Sequence, residues 1–307
     1  MSLTYILSDS NHTGLQAQIT FSASTGGTFN LGMHTIPYVF ESNYPYGSYE
    51  LFYPQWGQTC TLLNEEQNKV VVKIDNRLGS LFYMIFDGEI LNLDFGDGSP
   101  VIPYSNSGIE FHDYSDEIAG IYTIQFNSGT ATGINFVGSQ NNLIQIDATN
   151  NQNLISINCT NQNSLSSITI DNSYSISNLL FTSLKILNAK NCSNLSYINN
   201  GVNSGIGLVY VDLRNSGLQE GANYDFSNND IVYFNISGTA CNILFLSYNR
   251  LNDEQLNLIL KSLDDAGRLN GYLELGNQNS GSCLDAQGQS YKNNLEMKGW
   301  YVGADIC

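Results

Sequence analysis

Between residues 143 and 251 one short phrase recurs: L-I-Q-I-D-A at 143–148, L-I-S-I-N-C at 154–159, L-S-S-I-T-I at 165–170, L-K-I-L-N-A at 184–189, L-V-Y-V-D-L at 208–213 and I-V-Y-F-N-I at 231–236. A repeated strand-length phrase leaves a chain few ways to fold, because one copy buries its apolar side only against the next. Stacked coils of a solenoid meet that demand. The first three copies start 11 residues apart and the later ones 19, 24 and 23 apart, so two phrases are expected to fill one coil of about 22 residues.

In each phrase the first, fourth and sixth places are apolar, and the alternation between the fourth and sixth is that of a strand with one buried face. The places between them face solvent. They supply the candidate ligand-binding residues Gln145, Ser156, Ser167, Lys185, Tyr210, Tyr233 and Phe245, expected together on one sheet. Equivalent places in stacked coils lie about 5 Å apart, so Tyr210, Tyr233 and Phe245 are expected to form an aromatic ladder. The same positions also suit plain solvent-facing strand residues. Downstream, Asn151, Ser216 and Asn249, with Cys192 at the same offset, fall where a small polar side chain can bond the exposed backbone of a turn.

This spelling resembles the leucine-rich repeat, most fully in Leu208-Val211-Leu213-Ser216-Leu218 and in Cys241-Leu244-Leu246-Asn249-Leu251. The tightly spaced early copies, with links such as Asn150-Asn151-Gln152-Asn153, look like the irregular repeats of Bacteroidota-type surface proteins. A parallel β-helix or an unrelated β-sandwich has the same strand content. After Asn249, the run Leu256, Ile259, Leu260 and Leu263 has helical spacing, with Asn252 or Asp253 as cap and a stop near Gly267 or Gly271. A strand at Tyr272–Leu275, a short helix from about Ser290 to Lys298 and a C-cap at Gly299 are expected next. Leu263-Asp264, Gly267, Asn270-Gly271 and Asn293-Asn294-Leu295 to Trp300 resemble the closing unit of bacterial and phage leucine-rich chains. That resemblance implies a cap over about residues 250–307 and a natural end at Cys307.

Ahead of the repeats, Asp94-Phe95-Gly96-Asp97-Gly98-Ser99, then His112-Asp113-Tyr114, then Gly120-Ile121-Tyr122-Thr123-Ile124 resemble the polycystin-type (PKD) domain. The resemblance implies a small β-sandwich used as spacer or adhesion module. Asp94 and Asp97 also have the spacing of oxygen ligands for calcium, but the same aspartates read as turn caps and the complete loop with its distal Glu is missing. His112 reads as a packed position. Residues 1–66 have an alternating run at Gln16–Ala23, a β-branched and aromatic run at Thr35–Phe40, and a tyrosine-dense stretch at 44–56, which suits a sugar-stacking surface, an oligomer seam or an ordinary aromatic core.

The fold class expected is mainly β: an N-terminal β module at 1–66, a PKD-like β-sandwich at 67–135, and at 136–307 a leucine-rich-repeat solenoid with a small α/β cap. The formal net charge of −17, from 11 Lys and Arg against 28 Asp and Glu, argues against nucleic acid or an anionic membrane as partner. No apolar run approaches the length of a membrane span, and the N-terminus does not read as a signal peptide. Of six cysteines, Cys159, Cys192 and Cys241 fall on repeat positions and are expected as buried thiols, while Cys283 and Cys307 flank the cap and are the candidate pair. No Ser-His-Asp pattern, H-E-x-x-H or phosphate loop is present, and the repeat acids Asp147, Asp171 and Asp212 stand singly.

These features lead to the expectation of a non-enzymatic host-recognition protein of a bacteriophage virion, a spike, fibre or tail-associated adhesin. The N-terminal part would attach to other virion proteins and the solenoid would face a host-surface glycan or protein. No cofactor, no metal, a homo-oligomer and reduced cysteines belong to that expectation. A bacterial cell-surface or secreted leucine-rich adhesin is the alternative, and a glycan depolymerase the second alternative.

Overall fold

The computed structural model describes residues 68–104, 106–136, 141–199, 206–278 and 281–307 in full, and of the preceding residues the backbone pairing of six strands. The chain divides into two compact units, Met1–Gln67 and Asn68–Cys307. In the first, β1 (Leu7–Ser8), β2 (Gln16–Phe21) and β5 (Gly47–Phe52) form one antiparallel sheet. A second joins β3 (Gly27–Leu31), β4 (His34–Tyr38) and β6 (Cys60–Leu63). The side chains of the tyrosine-dense stretch, His12, His34 and Cys60 lie outside the described residues.

The second unit begins with β7 (Lys69–Asp75), β8 (Leu81–Asp87), β9 (Ile90–Asp94), β10 (Ile102–Tyr104), β11 (Gly108–Asp113) and β12 (Ile121–Asn127). Strict alternation in β7 and β8 turns Val70, Val72, Ile74, Phe82, Met84 and Phe86 into the core. The chain then winds as a β-solenoid. Its strands are β13 (Gly133–Asn135), β14 (Leu143–Asp147), β15 (Ser156–Cys159), β16 (Ser167–Thr169), β17 (Asn178–Phe181), β18 (Ile186–Asn188), β19 (Tyr197–Ile198), β20 (Tyr210–Asp212), β21 (Asn223–Asp225), β22 (Tyr233–Asn235) and β23 (Ile243–Phe245).

Successive strands alternate between two facing sheets. One runs β10-β9-β12-β7-β14-β16-β18-β20-β22 and the other β11-β8-β13-β15-β17-β19. In the first, β7 pairs antiparallel with β14, which pairs parallel with β16; in the second, β8 pairs antiparallel with β13, which pairs parallel with β15. Both sheets therefore run unbroken from the antiparallel strands into the coils, and one core cluster extends from Val70 to Val302. The apolar places of all six phrases are buried, none more than 2 % exposed. The sequence reading passed over two further copies, Ile176-Leu179-Phe181 and Leu195-Ile198, which lie in the wider gaps between phrases and are buried in the same way.

The turns after β14, β16, β18 and β20 of the long sheet are held by asparagine. Asn150, Asn172, Asn191 and Asn215 all have φ between 54° and 60°, a left-handed conformation that asparagine tolerates better than other residues with a side chain. Their amides form a chain across the coils: Asn172 Nδ2 donates to Asn150 Oδ1 (3.1 Å), Asn191 Nδ2 to Asn172 Oδ1 (2.9 Å) and Asn215 Nδ2 to Asn191 Oδ1 (2.9 Å). Gly238, at φ 77°, ends the row; a Cβ there would sit 2.0 Å from Asn215 Oδ1. One residue further inward, small polar groups satisfy the turn backbone. Ser173 Oγ donates to the Ala148 carbonyl (2.6 Å) and accepts from Asn151 N (2.9 Å), and Cys192 Sγ donates to the Ile170 carbonyl (2.8 Å). Asn249, fully buried, donates to the carbonyls of Phe226 (3.0 Å) and Leu246 (2.8 Å) and accepts from Ile231 N (3.1 Å).

The cap completes the stack. Helix α1 (Asp253–Asp265) is capped by Asn252, and Gln255 Oε1 accepts from Phe234 N (3.2 Å), covering part of the last edge of the long sheet. A third sheet, β21-β23-β24-β25, continues with β24 (Tyr272–Glu274) and β25 (Tyr301–Gly303). Helix α2 spans Ala286–Met297, starting earlier than the expected Ser290, because Asp285 caps it through Gly288 N (2.8 Å). Cys283 and Cys307 are disulfide-bonded, closing the cap, whereas Cys159, Cys192 and Cys241 are buried free thiols. The expectation of reduced cysteines is thereby corrected for that pair: the end of the chain returns beside Cys283 through the Leu284–Ile306 bridge. Among the described residues no helix is long and apolar enough to cross a membrane.

The turn geometry has a direct consequence. Asn191→Ala is expected to cost about 1–2 kcal/mol, from left-handed strain plus the lost amide bonds, and Asn191→Gly less. Tyr248 occupies the equivalent conformation on the third sheet at φ 58°, so Tyr248→Asn is expected to gain about 1 kcal/mol. Urea denaturation of the three variants reads this ranking.

Candidate binding surface

The outward side chains stand in rows one strand apart. On the long sheet, pairing aligns Lys73, Gln145, Ser167, Ile186, Tyr210 and Tyr233. Gln145, Ser167, Tyr210 and Tyr233 thus share one row, as expected. Three candidates do not join them. Ser156 lies on β15 of the other sheet, because successive phrases 11 residues apart alternate between the two faces. Lys185 precedes β18 and the row position belongs to Ile186, since the phrase at 184 puts Lys second and Ile third. Phe245 belongs to the third sheet, opposite Asp225 and Glu274.

The expected ladder is present for two of its three members. The rings of Tyr210 and Tyr233 are stacked, with centroids 4.5 Å apart and planes 7° from parallel. Phe245 instead packs against Tyr272 (5.2 Å), which stacks on Tyr301 (4.7 Å). Rings stacked in this way cover each other's faces, so the Tyr210–Tyr233 pair acts as cross-strand packing of the sheet. The adjacent row carries Asp212, locked to Arg214 by a bidentate ion pair at 2.6 Å and 2.9 Å, and Asn235, whose Nδ2 donates to the Tyr233 hydroxyl (3.2 Å).

The second sheet carries a different surface. Here the outward row reads Asp87, Gly133, Ser156, Asn178 and Tyr197, beside a row of Ile85, Asn135, Asn158 and Leu180. Gly133 has no side chain and its neighbours are short, so the sheet is hollowed into an open groove of about 430 Å³ spanning β8, β13, β15 and β17. Ile85 and Ile155 stand exposed at its margins. Asp87 is oriented by Ser107 Oγ (2.8 Å) and Thr132 Oγ1 (3.3 Å), and Asn158 by its turn to Thr160. The Asn178 side-chain oxygen is covered and has no hydrogen-bond donor. Of this surface, sequence reasoning found only Ser156. Asn178 was available as the residue one coil of 22 later, and Asp87 and Ile85 were not, because they come from an antiparallel strand outside the repeat.

The residues weighed as a calcium site serve the turns. Asp94 Oδ1 accepts from Gly96 N (2.8 Å) and Asp97 Oδ1 from Ser99 N (2.9 Å), while Asp97 Oδ2 lies 2.5 Å from His112 Nε2. His112 is stacked on Phe95 (4.0 Å) and meets the edge of Tyr114, whose hydroxyl donates to the Phe95 carbonyl (2.8 Å). Among the described residues no three His, Cys, Asp or Glu side chains gather as a metal site. Compared with known proteins, the chain matches no family model, no curated protein and no solved structure. What fold and surface define is a β-solenoid continuous with an antiparallel double sheet and grooved on one face.

Burial opposes ionisation of Asp97, but hydrogen bonds from Ser99 and His112 outweigh it and hold the carboxyl down at about 2. A folded-state value below the unfolded one gives stability that is present above about pH 4 and lost as the pH falls through 2. Asp97→Asn is therefore expected to cost about 2 kcal/mol at pH 7 and much less near pH 2, as read by denaturation at both pH values.

Proposed function

We propose that the protein is a non-enzymatic recognition arm: a leucine-rich-repeat solenoid on a PKD-like module that forms the host-facing part of a phage spike, fibre or tail-associated adhesin. In this reading the N-terminal part attaches to other virion proteins, the assembly is a homo-oligomer, and the solenoid meets a host-surface glycan or protein. The observation that carries it is the groove on the second sheet, a ready concave surface on a scaffold held by its own continuous core. The Asp94–Asp97 turn locked to His112 and Tyr114, with Tyr114 packed on Tyr122 (4.7 Å), supports the PKD-like part of the reading, because the three motifs that carry the resemblance meet in one place.

A bacterial cell-surface or secreted adhesin is the second reading, and the Cys283–Cys307 disulfide favours it, since such bonds persist in oxidising surroundings. The non-enzymatic part rests on the acids of the coils being engaged one by one. Asp147 accepts from Thr149 N (3.0 Å), Asp171 faces Lys190 (3.6 Å) and Asp212 holds Arg214. A glycan depolymerase needs a carboxyl pair flanking its substrate.

Fluorescently labelled protein incubated with a panel of intact bacterial strains is expected to decorate a subset of them without releasing reducing ends. Immunoblots of purified virions and of cell envelopes then assign the carrier. Failure to decorate any strain contradicts the recognition reading, and release of reducing ends contradicts the non-enzymatic one.

A further inference from the structure

We infer that the groove on the second sheet binds a neutral oligosaccharide lying across the strands, parallel to the solenoid axis. This rests on the recognition reading and assigns it a ligand class and a place. Four features of the groove carry it.

The first is its polar chemistry. Asp87, Ser156 and Asn178 occupy one outward row and Asn158 the next, so the floor offers a carboxylate, a hydroxyl and amides in succession. These groups both accept and donate, as a chain of sugar hydroxyls requires. The second is spacing. Successive members of a row are separated by the strand spacing of about 4.8 Å, close to the advance of one sugar along an extended glycan, so that successive units meet successive strands.

Third, the margins are aliphatic. Ile85, Ile155 and Leu180 offer flat apolar ground for the C–H faces of pyranose rings, while Gly133 leaves room between them. A Cβ at Gly133 would already lie 3.1 Å from Ser156 Oγ, so any side chain there enters the trough. Fourth, the lining holds no lysine or arginine and does hold Asp87, in a chain of net charge −17. An acidic polysaccharide would meet uncompensated repulsion. An extended peptide is also disfavoured, because β13, β15 and β17 are each paired on both sides and leave no free backbone edge in the floor for a strand to join.

The test is titration of the full chain with cellotetraose, chitotetraose and mannotetraose, and with tetragalacturonate as the acidic probe, read by saturation-transfer NMR and calorimetry. At least one neutral tetrasaccharide is expected to bind and tetragalacturonate is not. Gly133→Val, which fills the trough, and Asn178→Leu, which keeps volume but removes the amide, are each expected to weaken binding about tenfold or more. The unfolding midpoint of Asn178→Leu should stay near that of the parent, and Tyr210→Ser, on the opposite sheet, should bind as the parent does. The inference is overturned if no neutral tetrasaccharide binds, if tetragalacturonate binds as well as they do, or if a folded Asn178→Leu binds unchanged. Decoration of bacteria separates this from the broader reading: strains decorated equally by parent and both groove variants reject the groove and leave the recognition arm standing, whereas strains that even the parent leaves bare reject the arm itself.

Discussion

The structure depends on how a narrow coil disposes of its turn backbone. A solenoid with two short strands per coil must reverse direction about every 11 residues, and each reversal exposes peptide groups that a buried coil cannot leave unpaired. Left-handed asparagines solve this at the rim, from Asn150 to Asn215, and a second row of Ser173, Cys192 and Asn249 solves it inside. The parallel ladders fix the stacking distance at the strand spacing of about 4.8 Å, and each rim amide bonds the amide of the next coil at that distance. With that distance set, the outward side chains fall into register, and the groove is a consequence of that register.

A solenoid also needs ends. At its start the strand β7 gives one edge to β12 and the other to β14, and β8 does the same between β11 and β13. The antiparallel strands thus act as a template from which both sheets of the coil grow. At the far end α1, packed on α2, closes the long sheet, and the disulfide ties the last residues to the cap. Pairing the first coil with β7 and β8 and covering part of the last edge at β22 shields the coil edges of the long sheet from pairing between chains. The groove sits where template and coil meet, which is why its wall comes from β8 and its floor from β13, β15 and β17.

Much of the solenoid was legible because its signal is local. The apolar places of the phrases, the polar place at Asn151 and Asn249, the helix cap at Asn252 and the buried Cys159, Cys192 and Cys241 follow from spacing and side-chain size alone, whereas Ser216 is buried at the same place with its hydroxyl unpartnered. Register across sheets was less legible. Ser156 and Gln145 look equivalent along the chain, yet 11 residues is half a coil and places them on opposite faces. Lys185 was misplaced by a shift of one place within its phrase, and Phe245 because its strand belongs to the third sheet. The groove needed β8 as well, a strand with no repeat signature, so only the folded chain brings Asp87 beside Ser156.

The antiparallel strands and the coils form one continuous double sheet, and such a sheet should open as a single cooperative unit. Native-state hydrogen exchange tests it most directly, by comparing the opening free energies of amides in β7 and β8 with those in β14 to β17. The account predicts that the most protected amides of both groups share one opening free energy and lose it together as urea is added. Coils that exchange through a separate, lower-energy opening while β7 and β8 stay protected would contradict it.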